Sequence, residues 1–353
     1  MAELNNIIFS IFLIFFGYYF TKYFLFYLKS SNTNFLADNQ FNKPQAFHKK
    51  PTFRIGGITI YSLLIIAFLY LYFFKNIFFL EYISFCTFFF FMGLLDDLKI
   101  DIRPKFRLLL MATFLIILIN LNDLYIDKTG LGFLNNLLEI DIFALFFVCL
   151  CFLFIINGAN LIDGFNGLLG FHSLIILIVL FIINLVSNNQ NIAYILFYSI
   201  LLNLIFLKFN FPNGKIFLGD SGAYLLGAII AVSTIITSKS NPIISPFFFC
   251  TILAYLFFEV FFSFFRKLLV VKKSPLLPDS SHLHMFLYKF FLKKSKKKIE
   301  SNFKVSIYIN TIYFLSIIPA IIFMENGLFC RYYFFTLLII YIYFYKKLYS
   351  IVK

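Results

Sequence analysis

The sequence predicts an all-α polytopic membrane protein with about eleven transmembrane helices. Two observations carry this prediction. Of the 353 residues, 61% are hydrophobic and only 13% are charged, and the mean hydropathy is +0.91. A water-soluble fold would have too few polar residues to cover its surface. The apolar residues also cluster into runs near the roughly 20 residues that a membrane-crossing helix needs.

Eleven such runs lie between short polar loops, and three of the loops are longer (29–57, 122–140 and 266–302). The runs lie near 7–28, 58–74, 77–95, 107–122, 141–157, 168–186, 191–208, 221–237, 243–265, 303–324 and 328–346. The first has an acid, Glu3, where a signal peptide carries basic residues, so it is expected to be a retained helix. The chain is predicted to be a single domain (1–353). Its polar motifs lie within about 40–290, and the last helices cover 303–346.

The basic residues predict the orientation in the membrane. Lys and Arg concentrate in the loops on the cytoplasmic side of a membrane. If the N-terminus is outside, in the periplasm, nearly all of the 30 basic residues fall in inside segments, and the outside loops hold only Lys75, Lys128, Lys239 and Arg331. The net charge of +14 is therefore largely a topology signal. The Lys-rich run 293–298 also suits anionic lipid headgroups, and nucleic-acid binding is not expected.

With this topology, five polar segments converge on the cytoplasmic face. They are HKKPTFRIGG (48–57), GLLDDLKIDIRPKFR (93–107), NGANLIDGFNGLLG (157–170), GKIFLGDSGAYLLG (214–227) and SPLLPDSSHLHMFLYK (274–289). These segments are far apart in the sequence. Their convergence on one surface predicts a shared functional site.

Four aspartates in these segments lie at predicted helix ends: Asp96, Asp97, Asp163 and Asp220. One acid at a helix end is often a cap or a solvated residue, and Asp97 alone is open to that interpretation. Four at one face favour Mg²⁺ held between carboxylates and a phosphorylated substrate. The neighbouring glycines allow close backbone approach, although small residues also serve helix packing in membranes.

Amide and imidazole groups complete the candidate site. Asn160 and Asn166 can bind a base or a sugar, and a helix-packing role stays open for Asn160 and for Asn157. His282 and His284 form an HxH pair. In an extended segment they would point in opposite directions, which favours phosphate contact over a two-histidine metal site.

Two buried polar residues are harder to interpret. His172 is expected to be a packed, hydrogen-bonded histidine inside its helix. Glu259 lies within an apolar run, where a charge needs a partner, and the sequence does not identify that partner.

The order HKKPTxRxGG, GLLDDLK, RPKFR, NLIDG, GDSG and PDxxHLH resembles the polyprenyl-phosphate N-acetylhexosamine-1-phosphate transferases of glycosyltransferase family 4. Phospho-N-acetylmuramoyl-pentapeptide transferase belongs to the same group. The resemblance covers about residues 40–290. Each motif is weak by itself, and the set in this order is specific.

The resemblance implies an enzyme that transfers a sugar-1-phosphate from a UDP-N-acetylhexosamine to undecaprenyl phosphate, releasing UMP and requiring Mg²⁺ or Mn²⁺. It implies Asp220 and Asp163 as metal ligands. Asp96, Asp97 and Asp163 would lie at the reaction centre. The residues implied in substrate binding are Lys49, Asn160, Asn166, His282 and His284.

Two departures from the family pattern bear on the sugar. Asn166 stands where many relatives have a second acid, and Met285 stands where a further histidine is common. The pentapeptide transferases usually carry three consecutive histidines. The motif HLHM therefore favours an O-antigen or capsule type of enzyme, with the pentapeptide transferase as the alternative.

The resemblance also implies a location and partners. A multi-pass protein of the bacterial inner membrane, surrounded by lipids, is expected, and a homodimer is a further expectation. A transporter or lipid flippase is the rival from another class, but it would place polar residues near the middle of the membrane. A catalytically inactive scaffold is a third hypothesis.

Overall fold

The computed structural model describes residues 2–31, 36–39, 51–100, 102–272, 274 and 279–352. These residues form α-helices and three short strands. The helices are α1 (Ala2–Ser30), α2 (Gly56–Lys75), α3 (Leu80–Asp97), α4 (Pro104–Leu121), α5 (Gly132–Leu138), α6 (Asp141–Ile162), α7 (Leu168–Val186), α8 (Gln190–Asn210), α9 (Gly219–Ser240), α10 (Pro246–Ile252), α11 (Ala254–Phe265), α12 (Leu283–Ser295), α13 (Lys298–Ile322) and α14 (Gly327–Val352). The strands are β1 (Ala37–Asp38), β2 (Thr52–Arg54) and β3 (Ile216–Phe217). A π-helical turn, Arg266–Val271, extends α11.

Helix α9 lies at the centre of the bundle. It is 89% buried over its most apolar 18 residues and packs against α2, α3, α6 and α7. Its sequence is rich in Gly, Ala and Ser. Small side chains let helix backbones approach closely. Close packing matters in a membrane, because the hydrophobic effect does not drive helices together there. The composition of α9 thus explains its central position.

Glycines make two of these helix contacts possible. A Cβ on Gly93 of α3 would lie 2.3 Å from the backbone oxygen of Asp220. A Cβ on Gly57 of α2 would lie 2.3 Å from the backbone nitrogen of Gly222. Any larger residue would separate these helices. Both contacts are at the end of α9 that carries Asp220.

The predicted fold class is confirmed. Among the described residues, nine helices are long and apolar enough to cross a membrane, or ten if α10 and α11 count as one span. Helix α3 coincides with the predicted run 77–95 but carries Glu81, Asp96 and Asp97 within its 18 residues. All eleven predicted runs are therefore helical. The orientation of the bundle in the membrane stays a prediction.

The predicted run 243–265 is not one continuous helix. It forms two helices, α10 and α11, that meet at a 75° bend near Leu253. A bend leaves a backbone carbonyl without its helical partner, and the hydroxyl of Tyr313 in α13 donates a hydrogen bond to the carbonyl oxygen of Ile252. A contact from another helix therefore stabilises the bend, and no Pro or Gly marks it in the sequence.

A small sheet closes the end of the bundle where α2 and α9 begin. Strand β1 pairs antiparallel with β2, with Ala37 opposite Phe53, and β2 pairs parallel with β3, with Phe53 opposite Ile216. The backbone nitrogen of Gly57 also donates to the carbonyl oxygen of Leu218 at 2.8 Å. The sheet therefore places Arg54, the last residue of β2, beside the first turn of α9.

Candidate active site

Asp97, the last residue of α3, binds the first turn of α9. Its Oδ1 accepts a hydrogen bond from the backbone nitrogen of Asp220 at 3.0 Å. Its Oδ2 accepts from the backbone nitrogen and from the hydroxyl of Ser221, at 3.0 and 2.6 Å. The first N–H groups of a helix lack partners within the helix, and a carboxylate there also interacts favourably with the helix dipole. Asp97 therefore caps α9 from a neighbouring helix.

Gly219 makes this cap possible. Its φ of +80° belongs to the left-handed region that residues with a Cβ rarely adopt. A Cβ at this position would also lie 2.5 Å from Oδ2 of Asp97. The GD motif thus combines an acid with the one residue type that fits against the capping carboxylate.

Two arginines neutralise acids at this end of the bundle. The guanidinium of Arg54 lies 2.8 Å from Oδ2 of Asp38 and 3.4 Å from Oδ1 of Asp97. Arg107, in the first turn of α4, forms an ion pair with Asp96. Although burial alone would lower it, the charges of Asp220, Asp38 and Asp97 raise the pKa of Arg54 above its usual value. Both arginines belong to the polar segments of the sequence, Arg54 to 48–57 and Arg107 to 93–107, but no sequence feature distinguishes them from the other basic residues there.

Asp163 and Asp220 differ from Asp96 and Asp97 in having no ion-pair partner among the described residues. Asp163 follows the last residue of α6 and Asp220 lies in the first turn of α9, and both are partly buried. Within the described part of the chain, neither side chain has a hydrogen-bond or ion-pair partner. Burial and the negative charges of Asp220 and Asp97 raise the pKa of Asp163 to about 8, with Arg54 acting in the opposite direction. Burial and the neighbouring acids therefore disfavour the ionised form of Asp163, and an added cation at this position would favour it.

This charge pattern fits a hard divalent cation. Mg²⁺ is commonly bound by one or two carboxylates and completes its coordination with water and substrate phosphates. Among the described residues of this site, Asp163 and Asp220 are the aspartates without a cationic group at ion-pair distance, although Arg54 and Arg107 act on Asp220 from farther away. Among the described residues, no group of three or more His, Cys, Asp or Glu side chains is arranged to hold a metal. Protein ligands alone would therefore not complete a metal site here.

The predicted substrate-binding asparagines have different surroundings. Asn160 donates from Nδ2 to the hydroxyl of Tyr224 at 3.3 Å. The backbone nitrogen of Asn166 donates to Oδ1 of Asn302 at 2.8 Å, and its Nδ2 donates to the carbonyl oxygen of Pro212 at 2.9 Å. Asn166 thus ties the loop after α6 to two other segments, while Asn160 lies beside the acids.

Asn157 donates from Nδ2 to the carbonyl oxygen of Leu153 in its own helix at 2.8 Å, so it serves α6 itself. Lys49 lies outside the described residues.

The expectation that His282 and His284 point in opposite directions is wrong. Their rings are stacked with centroids 5.3 Å apart and planes 2° apart. His282 has an extended backbone and precedes α12, whereas His284 lies in the first turn of that helix. The alternation of an extended segment ends at the helix start, so both rings lie on the same side. The sequence showed the pair but not the turn between its members.

The histidines provide the partner of Glu259 that the sequence did not identify. The Nδ1 atom of His282 lies 2.9 Å from Oε2 of Glu259, and the Nδ1 atom of His284 lies 3.7 Å from Oε1. All three side chains are buried. Phe165, two residues after Asp163, packs edge-on against the ring of His284, with centroids 5.7 Å apart. The cluster of Glu259, His282 and His284 therefore adjoins the loop that carries Asp163.

His172 is packed inside the bundle, as expected, but its ring nitrogens make no hydrogen bond among the described residues, contrary to the expectation. Its ring is fully buried and lies 4.0 Å from the ring of Tyr313 and 5.4 Å from the ring of Tyr255, measured between centroids. It is placed among aromatic rings of α11 and α13, away from the four aspartates. The chemistry of the site does not use it.

The arrangement as a whole suits the binding of phosphorylated molecules together with a cation. Unpaired carboxylates attract a divalent ion, and nearby arginines and the first turn of α9 provide positive charge and N–H groups. All of these groups lie at one end of a helical bundle. A ligand with a long apolar chain could keep its chain beside the bundle and its charged group at this end.

Comparisons with known proteins agree with this geometry. A family model described as glycosyl transferase family 4 matches residues 79–238, the segment that contains Asp96, Asp97, Asp163 and Asp220. The chain is 34% identical over 244 residues to a phospho-N-acetylmuramoyl-pentapeptide-transferase of Dictyoglomus turgidum, which covers 65% of this chain and 74% of that protein.

Two other relatives have a different name. An undecaprenyl-phosphate alpha-N-acetylglucosaminyl 1-phosphate transferase of Thermotoga maritima is 32% identical over 232 residues, covering 65% of this chain and 66% of that protein. A probable undecaprenyl-phosphate N-acetylglucosaminyl 1-phosphate transferase of Bacillus subtilis is 31% identical over 203 residues, covering 57% and 56%. The chain thus spans between about half and two thirds of the length of these two relatives.

Proposed function

The chain belongs to glycosyl transferase family 4, and from this premise we propose that it transfers an N-acetylhexosamine-1-phosphate from a UDP-sugar to undecaprenyl phosphate. The products would be undecaprenyl-diphospho-sugar and UMP. One observation supports the proposal most directly. At one end of the helical bundle, Asp163 and Asp220 have no ion-pair partner among the described residues and lie beside two arginines that form ion pairs with other carboxylates. The names of the Thermotoga and Bacillus relatives agree with it.

The reaction joins two anions. An oxygen of the lipid phosphate attacks the β-phosphorus of the UDP-sugar, and the bond from that phosphorus to the oxygen bridging to UMP breaks. The electron pair leaves with UMP. Phosphoryl transfer needs little covalent help from a protein and depends on positioning and charge stabilisation. Positive groups near the diphosphate are therefore the main requirement.

Asp163 and Asp220 would hold Mg²⁺, or Mn²⁺, which would screen the diphosphate and the departing UMP when bound. Their carboxylate oxygens make these two residues suitable. Substrate phosphate oxygens would complete the coordination, in agreement with the lack of a third protein ligand among the described residues. Cation binding would then require the nucleotide sugar for full affinity.

Asp96 and Asp97 have different tasks in this proposal. Asp97 accepts three hydrogen bonds and its side chain is fully buried, so it holds the start of α9 and is poorly placed to take a proton. Asp96 is slightly exposed, at 13%, and pairs with Arg107. Asp96 is therefore the better candidate to keep the lipid phosphate deprotonated, with Arg107 attracting that phosphate.

The nucleotide sugar would lie between the acids and the loop after α6. Asn160 and Tyr224 provide an amide and a hydroxyl beside Arg107 and Asp220, and both can contact a sugar or a base. Asn166 would act by shaping the loop, because its own polar groups bind Asn302 and Pro212. The polyprenyl chain would lie in the bilayer beside the helices, in the bacterial inner membrane.

The pentapeptide transferase of peptidoglycan synthesis is a second candidate function. The Dictyoglomus relative bears that name and matches this chain over 74% of its own length. The motif HLHM, in place of three consecutive histidines, favours the N-acetylglucosamine reaction. The two functions differ in the sugar nucleotide that is consumed, so one substrate panel separates them.

The experiment measures UMP release by the purified protein in detergent with undecaprenyl phosphate, Mg²⁺ and a panel of UDP-sugars. The panel includes UDP-N-acetylglucosamine and UDP-N-acetylmuramoyl-pentapeptide. We expect release that requires the lipid and the metal, stops on addition of EDTA, and is lost in Asp220→Asn. The control is Asp123→Asn, an acid exposed at the opposite end of the bundle, which should retain activity. The proposal would be refuted if the folded protein released no UMP with any of the UDP-sugars tested.

A further inference from the structure

Glu259 is the most unusual charged residue in the bundle. It lies in α11, one half of the bent span, and is 1% exposed. A charged side chain within a membrane protein is costly to bury and generally has a partner and a functional reason. No step of the proposed reaction uses Glu259 directly. Its neighbours are the rings of His282 and His284 at the start of α12 and the phenols of Tyr255 and Tyr341.

One carboxylate serves both rings by their Nδ1 edge. Oε2 of Glu259 lies 2.9 Å from Nδ1 of His282, and Oε1 lies 3.7 Å from Nδ1 of His284. Tyr255 adds a contact from its hydroxyl to Nδ1 of His284 at 3.5 Å. An acid on one ring nitrogen fixes the tautomer and the orientation of an imidazole. Glu259 thus holds His282 by a hydrogen bond and lies beside His284, whose Nδ1 is within ion-pair distance of Oε1 but beyond hydrogen-bonding distance.

The other edge of both rings has no partner. The Nε2 atoms of His282 and His284 are buried and, among the described residues, make no hydrogen bond. Buried polar atoms almost always have partners. The two rings are parallel, with centroids 5.3 Å apart. A group with two oxygens, such as a phosphoryl group, can face the Nε2 edge as the carboxylate of Glu259 faces the Nδ1 edge.

We propose that Glu259 is a positioning residue that aligns His282 and His284 so that their Nε2 atoms receive one phosphoryl group of a substrate. This inference rests on the proposed function. Burial holds the pKa of His284 below its usual value although Glu259 acts in the opposite direction, so protonation would accompany the arrival of a second anionic group at Nε2. A protonated imidazole donates from both nitrogens. Glu259 therefore acts through the histidines and does not touch the substrate. The contact of His284 with Phe165 places the pair next to the loop of Asp163.

The phosphoryl group could come from the nucleotide sugar or from the lipid, and the measurement separates the two sources. The chain has four histidines, so ¹⁵N-histidine labelling gives few enough signals to assign with single variants. We expect UDP-N-acetylglucosamine or undecaprenyl phosphate, added separately, to shift the Nε2 signals of His282 and His284 toward the protonated form. Glu259→Gln should abolish the shift. Glu325→Gln, an exposed acid between α13 and α14, should leave it unchanged.

Kinetics provide the second readout. Glu259→Gln should raise the KM for the substrate that shifts the histidine signals by ~10-fold or more while changing kcat less. In a His282→Phe background the same substitution should have less than a ~2-fold further effect, since residues that act through each other are not additive. Glu259→Asp, which keeps the charge, should restore part of the affinity. Independent, multiplicative effects of the two substitutions would overturn the inference.

The two proposals fail in distinguishable ways. If no sugar supports UMP release, the proposed function fails, and the ¹⁵N signals of unliganded protein still test whether Glu259 sets the Nδ1–H tautomer of His282. If UMP release is normal in Glu259→Gln, or neither ligand shifts the Nε2 signals, the inference fails and the transferase function stands. If the Glu259 variants do not fold, the ligand titrations of the wild-type protein still test whether a phosphoryl group reaches the Nε2 atoms.

Discussion

At the scale of single residues, the four predicted aspartates divide by their partners. Asp97 is fully engaged with backbone N–H groups and Ser221, Asp96 pairs with Arg107, and Asp163 and Asp220 have no cationic partner within the described residues. Identical side chains at one end of the bundle therefore have different partners. These partners predict that Asp97 stabilises the fold and that Asp163 and Asp220 serve the reaction.

Substitution of each acid by its amide should separate these functions. Asp97→Asn replaces an acceptor oxygen by an NH₂ group that faces other donors, so we expect a loss of about 1–3 kcal/mol of stability, together with lost activity. Asp220→Asn removes charge from a side chain without a cationic partner, so the thermal unfolding midpoint in detergent should stay within about 2 °C while Mg²⁺-dependent activity disappears. Thermal unfolding and UMP release of both variants are the measurements. Equal loss of stability in the two would contradict the division.

At the scale of helices, the site depends on how closely α2 and α3 approach α9. Gly57 and Gly93 provide the space for these approaches, and the sheet of β1, β2 and β3 adds Arg54 from one side. Because Asp97 and Asp220 come from different helices, their contact depends on the helix spacing. A change of spacing at Gly93 should affect the site even though no functional side chain is altered.

Gly93→Ala is expected to separate α3 from α9. The new Cβ would lie 2.3 Å from a backbone oxygen of Asp220, and backbone cannot move aside as a flexible side chain does. Overpacking of this kind lowers stability by about 1–3 kcal/mol, and most activity should be lost. The matched control is Gly132→Ala in α5, where a Cβ meets nothing within 4 Å. Thermal unfolding and UMP release measure both effects, and a neutral Gly93→Ala would show that the helices tolerate a wider spacing.

At the scale of the whole molecule, the functional groups lie at one end of the bundle. The ends of α3 and α6 meet the beginnings of α2, α4 and α9 there. The opposite end is held by other contacts, such as the hydrogen bond from Lys239 to the carbonyl oxygen of Asp123 at 2.9 Å. The distribution of Lys and Arg predicts that the functional end faces the cytoplasm.

Labelling of introduced cysteines tests this orientation. Glu325→Cys lies in the turn between α13 and α14, at the end opposite the site, and Lys297→Cys lies at the functional end, where the lysine side chain is 78% exposed. A membrane-impermeant maleimide should label Glu325→Cys in intact cells and Lys297→Cys only after permeabilisation. The protein with its five native cysteines provides the background. The reverse pattern would place the N-terminus inside and the site on the outer face.

The sequence alone determined the membrane class, the helical runs and the set of acids and histidines that form the candidate site. These follow from local properties, because apolar length predicts a span and a rare polar residue stands out in an apolar chain. The family resemblance came from the same motifs in order. Those features need no knowledge of which helices touch.

Only the tertiary structure decided how these residues divide their tasks. Three contacts join residues that are not neighbours in the sequence. They are the capping of α9 by Asp97, the ion pair of Arg107 with Asp96, and the contact of Glu259 with His282. The bend at Leu253 likewise depends on Tyr313 of another helix. Hydrogen bonds and charge pairs act between neighbours in space, and a single sequence does not specify those neighbours. The sequence therefore identified the polar groups of the candidate site, and the packing of the helices decided which groups contact each other.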